Sequence, residues 1–104
     1  MDADINRLLL RFEKIMRETN REIINPEIQV LNVNGLKPIA EVVARARAAY
    51  LKRLCELAQS HDKGLPGDDE IAELEQLSRR FQALAEGSQA IEAAIQRGYL
   101  DIQE

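Results

Sequence analysis

Residues 68–98 read DDEIAELEQLSRRFQALAEGSQAIEAAIQRG. Within them Leu74, Leu77, Phe81, Leu84, Ser88, Ile91, Ile95 and Gly98 recur at alternating spacings of three and four, and Ile71 extends the series at its start. A heptad repeat of this kind belongs to a helix packed along its length against another helix. Asp68, Asp69 and Glu70 stand where the helix dipole favours negative charge, and Gly98 closes the pattern. A helix is predicted over 68–97. Gly87-Ser88 interrupts the seam, where close helix approach, a kink or a break with Ser88 as a fresh cap are the alternatives; a continuous helix that can kink there is expected.

Working back along the chain, Ser60-His61-Asp62-Lys63-Gly64-Leu65-Pro66 stops the preceding helix, with Gly64 expected as the left-handed residue beyond its end. That helix is predicted over 38–63, with Pro38 suited to its first turn. One apolar sector holds Ile39, Val42, Val43, Ala46, Ala49, Tyr50, Leu54 and Leu57. A second holds Ala44, Ala48, Leu51, Cys55 and Ala58. A helix apolar around most of its circumference must be covered from more than one side, which makes it the central element. The short 62–67 loop makes it the antiparallel neighbour of the last helix.

At the start, Asp2 and Asp4 are candidate caps for a helix over 3–24. Ile5, Leu8, Leu9, Phe12, Ile15, Met16, Thr19 and Ile23 form one face of it. Arg7, Arg11, Lys14, Arg17 and Arg21 gather on the other. Asn25-Pro26 ends this helix. Residues 25–37 then form an extended connector whose Ile28, Val30, Leu31 and Val33 are too apolar to lie in water, so it should cover the bundle or pair with its copy in a second chain. Asn34-Gly35 within it reads as a turn. The expected fold is all-α: a single domain spanning 1–104, a three-helix up-down bundle with a central second helix and a heptad-patterned third.

Length and composition narrow the function. At 104 residues the chain holds one core, and 45% apolar with 31% charged residues excludes global disorder. Net charge is −4, unevenly spread. Residues 36–63 carry six cations and three anions, residues 64–104 three cations and nine anions. Lys52, Arg53 and Lys63 are therefore expected near Asp68, Asp69, Glu70, Glu73 and Glu75. The longest apolar runs fall far short of the ~20 residues that span a bilayer, and the acidic Met1-Asp2-Ala3-Asp4 start lacks the features of a secretory signal. A cytoplasmic location, with no membrane partner, is the default.

One cysteine and one histidine, Cys55 and His61, exclude an intramolecular disulfide and disfavour a His/Cys metal site within one chain. Cys55 is expected to be a packed, inert thiol, and His61 to sit near a helix C-terminus. Phosphate-binding glycine loops, a nucleophile elbow and a calcium loop are all missing, so no catalytic residue, cofactor or metal is expected. Arg47 and Arg53 are embedded among apolar neighbours and are candidates for a buried ion pair. Arg47 needs a carboxylate, an escape to water along its stem, or a partner's anion.

The function expected is a non-catalytic helical interaction protein, self-associating as a homodimer or binding another protein, and serving as adaptor, chaperone-like or regulatory subunit. Candidate contacts are Leu74, Leu77, Phe81, Leu84, Ile91 and Ile95 on the third helix, the first helix's apolar face, and Ile28, Val30 and Val33 on the connector. The alternative is a nucleic-acid-associated protein using Arg7, Arg11, Lys14, Arg17 and Arg21.

Overall fold

The computed structural model describes residues 2–28 and 30–103; Met1, Gln29 and Glu104 lie outside the described residues. The fold is all-α. Helix α1 spans Asp2–Ile24, α2 spans Val33–Ser60 and α3 spans Asp68–Gln96, with a 3₁₀ turn at Asn25–Glu27. Helices α2 and α3 pack together. Among the described residues there is no strand, only a parallel bridge between Leu31 and Ile102, and no helix is long and apolar enough to cross a membrane.

The chain divides into two compact units. Residues 37–90, most of α2 and α3 with the loop between them, form a helical hairpin. Residues 1–36 and 91–104 hold α1, the connector, the ends of α2 and α3, and the tail. The division falls beside Pro38 in α2 and a turn beyond Gly87-Ser88 in α3. Helix α3 nevertheless runs unbroken through that pair.

Helix α2 begins ahead of the position Pro38 suggests. Asn32 caps it: its side-chain Oδ1 accepts a hydrogen bond from the Gly35 amide at 3.0 Å, and its carbonyl accepts from Leu36 at 3.0 Å. A capping asparagine outweighs the proline, which then sits inside the helix and leaves the Asn34 carbonyl without its partner. Asn34 is exposed, so water can take that place. Asn34-Gly35 is thus helix rather than turn, and of the expected connector Ile28 and residues 30–32 remain non-helical among the described residues.

The expected left-handed Gly64 is not found; Gly98 is the positive-φ glycine, at φ 75°. There Tyr99 N–H donates to Ala94 O at 2.9 Å and Gly98 N–H to Ile95 O at 3.1 Å. This is the six-to-one and five-to-two pattern that closes a helix through a left-handed residue. At the opposite end of α3, Glu70 reaches back to accept from the Gly67 amide at 3.0 Å, so a carboxylate satisfies one of the first orphan N–H groups.

Little is deeply enclosed. Among the described hydrophobic residues only Leu57 (2%) and Leu100 (4%) are buried. So small a buried set leaves much apolar surface in contact with water.

Candidate interaction surfaces

The hairpin is held by charges gathered where α2 ends and α3 begins. Arg53 places Nε 2.9 Å from Glu73 Oε1, Nη1 3.7 Å from Glu56 Oε2 and Nη2 3.9 Å from Glu70 Oε2. The Nε approach lies off the N–H axis, so it is an electrostatic contact rather than a hydrogen bond. His61 Nε2 lies 3.1 and 3.3 Å from the two Glu70 oxygens. The Gly67 amide, then His61, then Arg53 hold the Glu70 carboxyl below its ordinary pKa. Lys52, Lys63, Asp68, Asp69 and Glu75 make no ion pair among the described residues.

Arg47 makes no ion pair among the described residues. Its guanidinium lies 5.0 Å from the Phe81 ring centroid, and Tyr50, one turn on, stacks on the same ring at 6.4 Å. Arg47 is exposed, so solvent and an aromatic face satisfy the charge without a carboxylate. Phe81 is thereby engaged inside the hairpin.

The other heptad residues sit as follows. Leu74 and Leu77 are half-buried along the hairpin, and Leu84 is at the margin of exposure. Ile91 and Ile95 are half-buried in the other unit. Of the connector residues, Ile28 is half-buried, Val30 is exposed, and Val33 is exposed at the head of α2. The connector's backbone partner is the tail of its own chain: Leu31 N–H donates to Asp101 O at 3.2 Å and Gln103 N–H to Leu31 O at 2.8 Å.

A polar clasp missed by the sequence reading fixes that tail. Asn25 Nδ2 donates to Asp101 Oδ2 at 3.1 Å, while Asp101 N–H donates to Asn25 Oδ1 at 2.9 Å. Arg21 pairs with Asp101 Oδ1 and also donates to Gly98 O at 2.9 Å. Arg21 first, then Asn25, lowers the Asp101 pKa. These partners lie 76 to 80 residues apart, and no local spacing signals them.

Among the described residues, the following apolar surfaces are uncovered. The first is the face of α1, where Ile5, Leu8, Leu9, Phe12, Ile15, Met16 and Ile23 are 45–68% exposed. Ile5, Leu9, Phe12, Met16, Thr19 and Ile23 alternate at spacings of four and three, a second heptad seam in the chain. The second surface is a groove of about 510 Å³ between α2 and α3, lined by Val42, Ala46, Ala49, Leu77, Ala83 and Leu84 with Arg45 and Arg80. The third is the Ala44, Ala48, Leu51, Cys55, Ala58 sector of α2. All five are exposed, so Cys55 is not the packed thiol expected. The hairpin has one partner for α2 and covers one sector only.

The basic face of α1 is partly committed within the chain. Arg21 is held by the tail, and Lys14 lies 3.9 Å from Glu18. Arg7, Arg11 and Arg17 make no ion pair among the described residues.

No protein-family model matches the chain, and neither a curated protein nor a solved structure matches it. Fold and surface define a class only: an all-α chain with an uncovered amphipathic first helix.

Proposed function

We propose that the chain is a non-catalytic helical interaction module that self-associates through the apolar face of α1, most simply as a homodimer, and acts as an adaptor, chaperone-like or regulatory subunit. One observation carries this reading. Seven large apolar side chains on a single helix face are about half or more exposed. A lone helix exposing such a stripe gains no packing energy from it, and most helical stability in proteins comes from packing an amphipathic face. On side chains of this size, those exposures leave roughly 800 Å² available, close to what one partner contributes to an interface of standard size.

Size-exclusion chromatography with light scattering tests it. The wild-type chain is expected at twice its monomer mass. Leu9→Glu with Phe12→Glu is expected at the monomer mass with its α2–α3 helicity retained. A wild-type monomer at high micromolar concentration contradicts the reading.

A further inference from the structure

We infer that the groove between α2 and α3 receives α1 of a second copy of this chain, so that two copies exchange their first helices reciprocally. This rests on the self-association proposed above and names its contact.

Shape supports the assignment first. Ala46, Ala49 and Ala83 present small side chains in the groove, with Val42, Leu77 and Leu84 around them. A volume of about 510 Å³ accommodates on the order of three side chains the size of Leu or Phe at protein packing density. The α1 seam supplies such residues in Leu9, Phe12 and Met16, with Leu8 and Ile15 beside them. Large knobs meet small-walled holes.

Charge selects this occupant over an α1 paired with α1. The positions flanking the α1 seam in heptad register are Asn6, Glu13 and Asn20 on one edge and Leu8, Ile15 and Glu22 on the other. None is a cation, so two α1 helices laid seam to seam offer Glu13 and Glu22 no counter-charge at their edges. The groove does. Arg45 stands on its α2 side and Arg80 on its α3 side, one for each acidic flank. Arg80 makes no ion pair among the described residues, and the Arg45 contact with Glu41 at 3.2 Å is an exposed pair one turn apart, readily exchanged.

The test uses the full chain carrying Cys55→Ser, since the native thiol is exposed. Chains with Phe12→Cys are mixed with mass-tagged chains bearing Ala49→Cys and mildly oxidised. The expected product is the mixed Phe12→Cys to Ala49→Cys dimer in excess over Phe12→Cys self-linkage. A stable dimer that cross-links only between two Phe12→Cys chains overturns the groove assignment and leaves self-association standing. So does a Phe12→Cys, Ala49→Cys double variant that closes within one chain while the dimer persists. A monomeric wild-type chain overturns both. As a second readout, Arg45→Glu with Arg80→Glu is expected to weaken the dimer about tenfold, with recovery when Glu13→Arg and Glu22→Arg are added. Unchanged affinity in the Arg variants overturns the assignment.

Discussion

Asn25 and Asp101 exchange hydrogen bonds in both directions: the asparagine amide donates to the aspartate carboxylate at 3.1 Å, and the aspartate backbone N–H donates to the asparagine carbonyl at 2.9 Å. This pair, with Arg21 on the same carboxylate, joins the end of α1 to the tail and aligns the Leu31 bridge. Asn25→Ala is therefore expected to speed hydrogen exchange at the Leu31 and Gln103 amides while leaving the hairpin amides protected. Equal exchange in both proteins contradicts the clasp.

Acid sensitivity follows from the two carboxylates whose pKa values are lowered in the folded chain, Glu70 and Asp101. A group with a folded pKa below its unfolded value contributes stability that is fully present above the unfolded pKa, near 4 for these acids, and is lost as pH falls through the folded pKa. Urea unfolding is expected to show stability level near neutrality and falling below about pH 4. Glu70→Gln and Asp101→Asn each flatten that fall at the expense of stability at pH 7. A parallel pH profile in wild type and both variants contradicts the assignment.

Leu57 is the most enclosed side chain of the hairpin. Leu57→Ala removes its packing and is expected to lower stability by about 2–5 kcal/mol, whereas Leu65→Ala, at a site 90% exposed, leaves it unchanged. Thermal or denaturant unfolding separates the two. Similar losses at both sites would show that the hairpin core is elsewhere.

The hairpin was readable because its information is local. The 68–98 heptad, Gly98 after its last turn, and the stop at 60–66 each act over a few residues, and each marks a helix or its end. Arg53 stood out because Ala49, Tyr50 and Leu57 surround it in sequence, and three carboxylates lie around it in the fold. Arg47 showed the same pattern but met a ring, a distinction that depends on where Phe81 falls across the hairpin. The start of α2 was misplaced because Asn32 lies in a β-branched run, although Asn32 with Gly35 three residues on is a capping arrangement. The Asp101 clasp could not be read from spacing, since its partners meet only after the chain has folded.

The basic face of α1 has its own test. With Arg21 bound to Asp101 and Gly98 O and Lys14 beside Glu18, Arg7, Arg11 and Arg17 remain for phosphates, on a chain of net charge −4. Fluorescence anisotropy with labelled DNA and RNA is expected to show no tight binding. Micromolar affinity that falls steeply with added salt, and that Arg7→Ala with Arg11→Ala removes, would favour the nucleic-acid alternative.

The most direct measurement is sedimentation equilibrium of the 104-residue chain from low to high micromolar concentration, at low and at high salt. Association through an apolar helix face predicts a monomer–dimer equilibrium that persists in high salt and collapses with Phe12→Glu. A single monomeric species throughout, with the α1 side chains still in water, would contradict the account.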